Sequence, residues 1–239
     1  MKTLAACVVL ALFATPAHAV GIDMTVGACP GNAGASADAG ALDCAGGQSL
    51  TLLCTFMPNE SIPDLVGVDV RWDLVVAGDL FSDAAFWEME TANPAALASD
   101  PHPPATGCPN YAYVWGDSGG SATLGFPLYP SRLRIAAIAY NGRGQGAAVT
   151  ANQRIFALSL IILTANSTQA GGALPGCDKP VCIALSGIVP RAISGNDGTT
   201  LSNPSVFGTI VSVNGGATGV CLATPARRHT WGQLKTLYR

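Results

Sequence analysis

Hydrophobic and polar positions alternate with period two over residues 65–74. Val66, Val68, Val70, Trp72 and Leu74 share one face of an extended chain; Gly67, Asp69, Arg71 and Asp73 share the other. That pattern predicts a half-buried strand. Further strands are expected at 50–56, 111–115, 122–126, 133–140, 154–163, 181–188 and 209–213, with an N-terminal one at 21–27. Residues 154–163 are apolar on both faces, as a central strand requires. Gly-, Pro- and Asn-rich clusters separate the runs, at 58–59, 101–104, 116–120, 141–146, 171–176, 196–198 and 214–216. Residues 80–89 read as a short helix or an elaborated loop. Many short strands with punctuating turns predict an all-β chain folded as one β-sandwich.

Composition supports this. Charged residues make up 11% of the chain, with three Lys and three Glu against twelve Asp, so the material of surface helices is scarce. Basic nucleic-acid binders, coiled coils and helix bundles are excluded. Residues 4–14 form an apolar run after Lys2, and Ala17-His18-Ala19 is an A-x-A cleavage site. We expect a secretory signal peptide over 1–19, the sandwich domain over 20–224 and a tail over 225–239. No later run approaches the roughly 18 apolar residues of a membrane span. Residues 20–226 hold fifteen acids and seven bases, whereas 227–239 hold four bases and no acid. Such asymmetry marks a tail with its own docking site.

Secretion would put the cysteines in an oxidising compartment, as periplasmic, surface-exposed or extracellular chains are. Cys29, Cys44, Cys54, Cys108, Cys177, Cys182 and Cys221 remain after the signal, an odd count that leaves one unpaired or intermolecular. Nearness in sequence favours Cys29–Cys44 and Cys177–Cys182. With no C-x-x-C and only His102 and His229 beyond the signal, neither zinc nor any other metal or cofactor is expected.

Two stretches carry a resemblance. Cys177-x-x-Pro180-Val181-Cys182-Ile183 follows an apolar strand, and the chain ends Thr230-Trp231-Gly232-Gln233-Leu234-Lys235-Thr236-Leu237-Tyr238-Arg239. With the signal and the Cys-containing N-terminus, these resemble a group of secreted bacterial proteins of unknown function. The strand pattern is similar to immunoglobulin-like and cohesin-like sandwiches. Some members carry a further cysteine where this chain has Leu174, which leaves the partner of Cys221 open. The resemblance implies secretion and no catalytic residues.

Several motifs suggest chemistry. Gly116-Asp117-Ser118-Gly119-Gly120 spells the surroundings of a serine-protease nucleophile. His102 is too close for a two-barrel protease, and the Gly- and Pro-rich stretch after Ser118 cannot form the helix of a nucleophile elbow. A hairpin turn fits instead. Glu88 and Glu90, near Asp83, read as a solvated acidic loop, and Asn196-Asp197-Gly198 as a turn. Tyr111, Tyr113 and Trp115 alternate with Ala112 and Val114, so the aromatics form either core or an exposed platform for sugar rings or a protein. In the tail, Thr230 and Gln233 have capping-box spacing, and Trp231, Leu234, Leu237 and Tyr238 give one apolar helical face. About ten residues do not hold a helix alone, so this face needs a docking site, on its own domain or on secretion or sorting machinery. The resulting expectation is a secreted, non-enzymatic structural, adhesive or binding module whose partner is a glycan or surface protein. The alternatives are a carbohydrate-binding module using Tyr111, Tyr113 and Trp115, and an extracellular hydrolase with an unrecognised site.

Overall fold

The computed structural model describes residues 21–29, 38–76, 84–90, 92–104, 108, 111–116, 119–129, 132–195, 197, 200–201 and 209–215. The expected signal peptide, Ser118, Cys221 and the tail with Trp231, Leu234, Leu237 and Tyr238 lie outside the described residues.

Among the described residues ten strands follow in order: β1 (Gly21–Val26), β2 (Ser49–Met57), β3 (Ile62–Val76), β4 (Leu97–Asp100), β5 (Gly120–Tyr129), β6 (Arg132–Tyr140), β7 (Ala147–Val149), β8 (Ile155–Leu163), β9 (Val181–Ala192) and β10 (Ile210–Val213). They form two sheets, one ordered β1-β2-β8-β4, the other β10-β9-β3-β6-β5 with β7 beside the start of β3. All these pairings are antiparallel. The chain is therefore an all-β sandwich. Its core holds Trp72, Trp87, Trp115, Phe56, Phe86 and Leu74, among others. β8 lies between β2 and β4, and Ile155–Leu160 are all buried, as their two-sided apolar pattern requires.

Four details depart from the sequence reading. First, β3 does not keep one phase. A register irregularity against β9 between Leu65 and Gly67 makes Leu65 the buried residue and leaves Val66 half-buried; beyond it Val68, Val70, Trp72 and Leu74 face inward. Second, residues 111–115 are no strand. One parallel bridge joins Ala112 to Ile155 at the start of β8. Third, β4 and β7 were not expected; each is too short for periodicity to register. Fourth, within 80–89 the described part forms a single 3-10 turn, Ala85–Trp87, which buries Phe86 and Trp87.

The bridges join Cys29 to Cys108 and Cys44 to Cys177, with Cα atoms 5.6 and 6.0 Å apart. This overturns the expected Cys29–Cys44 and Cys177–Cys182. Loop closure costs rise only logarithmically with length, so nearness in sequence is a weak guide. Cys182 is disulfide-bonded as well. Among the described residues Cys54 is free. It sits in the core, where burial pushes its thiol well above the usual range against the opposing effect of the Trp72 indole N–H. That indole finds no oxygen or nitrogen acceptor among the described residues, and sulfur is a weak one.

Candidate functional site

The three aromatics, read as either core or an exposed platform, are divided. Trp115 is fully buried, its Nε1–H donating to the carbonyls of Phe156 (3.1 Å) and Ala157 (2.8 Å). It cannot stack on a ligand in this conformation. Tyr111 and Tyr113 remain half-buried and pack on a small cluster of Cys29, Leu53, Cys108 and Phe156 on the outer face of the smaller sheet. Beneath them the Arg154 guanidinium lies 3.4 Å from the Asp23 carboxylate and donates to Thr55 Oγ1 at 3.1 Å. Burial raises the Asp23 pKa, with Arg154 pulling it back; burial likewise raises that of Tyr111.

His102 is oriented by a carboxylate. Its Nδ1 lies 2.8 Å from Asp100 Oδ1, and its ring is 6.0 Å from that of Tyr113. Asp100 precedes His102 on the end of β4, an orienting partner the sequence reading did not consider. Asp117 and Ser118 lie outside the described residues, so no nucleophile can be assigned to this pair. The glycines flanking them form a turn, Gly119 N–H donating to Gly116 O at 3.1 Å. Glu88 and Glu90 are half-buried beside the 3-10 turn, and Asp83 lies outside the described residues. Asp197, in the expected turn, is held by Arg191, whose hydrogen bond lowers its pKa, with further help from the Ala192 N–H. No group of three or more metal-ligating side chains occurs among the described residues.

The surface that stands out is one the sequence reading missed, the outer face of β5 and β6. β5 is inverted relative to an ordinary half-buried strand. Its large residues Leu124 and Phe126 point outward, 63% and 44% exposed, while small Ser121, Thr123 and Gly125 point inward. The inversion has a steric cause. The 84–90 segment passes against β5 at Met89, and a Cβ at Gly125 would sit 3.0 Å from the Met89 carbonyl oxygen. Ser121 and Thr123 instead hydrogen-bond to Ser99 of β4, closing that side of the sandwich. On β6, Leu133, Ile135, Ala137 and Ala139 are buried, and Ile138 and Tyr140 face out, each 44% exposed. Register places Ala122 beside Ile138 and Leu124 beside Ala136. Tyr140 lies across Gly120, where any Cβ would collide with the ring.

Leu124, Phe126 and Ile138, with Ala122 and Ala136, line a shallow depression of about 240 Å³ whose far rim is Asp69 and Arg71 of β3. Charge on this rim is uneven. Asp73 accepts from Arg134 at 2.9 and 3.2 Å, and Asp69 accepts from Arg191. These hydrogen bonds raise the pKa of both arginines. Arg71, exposed between the two aspartates, has no ion-pair partner among the described residues.

The fold thus defines the class: a disulfide-stapled, all-β, two-sheet sandwich with an apolar outer face on its larger sheet. No family model matches the chain, and no curated protein does. Among solved structures it is similar to the cohesin module of a family 33 glycoside hydrolase from Clostridium perfringens, at 9% identity and TM-score 0.33, over 82% of this chain and 98% of that one. It is also similar to a type II cohesin domain from the cellulosome of Acetivibrio cellulolyticus, at 10% identity and TM-score 0.32, over 81% and 94%. At these values the likeness says nothing about partners.

Proposed function

We propose that this chain is a secreted, non-enzymatic binding module that docks a partner protein on the outer face of β5 and β6. One observation carries the reading: Leu124, Phe126, Ile138 and Tyr140 are exposed together on regular strands, where a solvated sheet face ordinarily carries polar residues. Charge defines the partner's chemistry. Asp69 and Asp73 are already neutralised, so the unmatched Arg71 calls for a carboxylate beside the partner's apolar side chains. The disulfides support an extracellular or periplasmic setting. The apolar basic tail over 225–239, with Trp231, Leu234, Leu237 and Tyr238, would serve sorting or attachment separately from this face.

A photo-crosslinking residue at Leu124, expressed in the native host, tests the reading against the same residue at exposed Ile193. Leu124 should capture one defined protein, and Arg71→Glu should abolish the capture. Equal capture from both positions, or capture indifferent to Arg71→Glu, would overturn it. A glycan-array signal that survives Leu124→Asp would move the binding site to Tyr111 and Tyr113.

A further inference from the structure

The chain contains two Asn-Gly pairs, Asn141-Gly142 and Asn214-Gly215, and the fold treats their side-chain amides in opposite ways. Asn214 is pinned. Its Oδ1 accepts the Leu42 N–H at 2.6 Å, and its Nδ2 donates to the carbonyls of Cys177 at 2.8 Å and Lys179 at 3.0 Å. Asn141 opens the β6–β7 turn. Its Oδ1 accepts the Arg143 N–H at 3.0 Å, and its backbone carbonyl accepts that of Gly144 at 3.0 Å. This is an Asx turn, which folds the side-chain carbonyl back over the main chain. Gly142 is exposed, carries no Cβ to shield its nitrogen, and donates no hydrogen bond among the described residues.

We propose that Asn141 is a site of spontaneous deamidation and that Asn214 is protected from it. The Gly142 nitrogen loses its proton to hydroxide and bonds to Asn141 Cγ. The Cγ–Nδ2 bond breaks, and the nitrogen leaves as ammonia, taking a proton from water. Water then opens the resulting succinimide at either carbonyl carbon, giving aspartate or isoaspartate at this position. The Arg143 N–H donated to Oδ1 polarises the carbonyl under attack. At Asn214 the same ring closure must first break three hydrogen bonds, which slows it by about a hundredfold. The product carries a new negative charge next to Tyr140, at the end of the apolar face. On the docking reading that charge repels a carboxylate-bearing partner; the deamidation itself does not depend on that reading.

The test incubates the oxidised full chain at neutral and mildly alkaline pH and follows tryptic peptides by mass spectrometry. Residues 135–143 should convert to the acid, faster at the higher pH, with isoaspartate confirmed by enzymatic methylation. Asn214 should stay an amide over the same interval. Gly142 lies outside the left-handed region, so Gly142→Ala fits the turn; its Cβ should slow conversion by about tenfold or more. In strong denaturant the two sites should convert at similar rates, because the fold makes the difference. Equal rates in the folded protein, no conversion at Asn141, or a contrast that persists in denaturant would each overturn the proposal.

Discussion

The two sheets treat their outer faces differently. On the smaller sheet, Leu53 and Phe156 point away from the sandwich core yet are buried, because Tyr111, Tyr113 and the Cys29–Cys108 bridge lie over them. On the larger sheet, Leu124, Phe126, Ile138 and Tyr140 point outward with no such cover among the described residues. Apolar area on a sheet face is favourable only when something removes it from water. One face solves this within the chain by a covalent strap. The other has no such cover among the described residues, and this contrast is the basis for the docking role proposed for the larger sheet.

The contrast can be broken most forcefully at the strap. Trp115 anchors the covering segment through two carbonyls of β8, so Trp115→Ala should lower stability by about 3–5 kcal/mol, read as a shift in the urea midpoint. Removing the Cys29–Cys108 bridge with paired serines should cost about 2–4 kcal/mol. It should also raise binding of a hydrophobic dye as Leu53 and Phe156 become accessible; unchanged dye binding would show that the tyrosines suffice as a cover.

Under the strap, Asp23 gives a smaller effect with a definite sign. Its side chain is 27% exposed, and burial raises its pKa in the fold. A raised folded pKa means that its contribution to stability is full below the unfolded value of about 4 and is lost as pH rises through the folded value. The stability of wild type relative to Asp23→Asn should therefore fall as pH climbs from acid toward neutral. Urea midpoints of the two proteins across that range check it, and a difference independent of pH refutes it. The smallest effect belongs to the open face. Leu124→Asp with Phe126→Asp should change stability by no more than about 0.5 kcal/mol each while abolishing partner capture, because these side chains lie outside the core. A large loss of stability would instead make them part of it.

The architecture was largely legible because period-two alternation and turn clusters are local signals. The core strands β2, β3, β6, β8 and β9 all fell where those signals put them. Non-local features were not legible. The phase slip at Leu65 depends on how β9 pairs with β3, which no local pattern encodes. The inversion of β5 depends on Met89 arriving from another part of the chain to pack against Gly125. Read alone, Ala122, Leu124 and Phe126 look like an inward face. A signal was nevertheless present, since Ser121, Thr123 and Gly125 are unusually small for residues facing a core, and their shared face opposite Leu124 hinted that something else would pack against it. Trp115 shows a different limit. Its alternation with Tyr113 and Tyr111 suggested one common surface, but the segment is irregular, so each ring is placed by its own contacts.

The Cys44–Cys177 bridge has a mechanical consequence. It spans 133 positions in sequence, and Cys29–Cys108 interlocks with it. A pull applied to the chain outside this pair passes straight through the sulfurs and loads only the flanking segments. The enclosed stretch, which at about 3.4 Å per residue would extend by about 450 Å, stays out of the load path while the bridge is intact. Under tension β1, β9 and β10, which lie outside the loop, carry the load, and a reductant would be needed to release the length between Cys44 and Cys177.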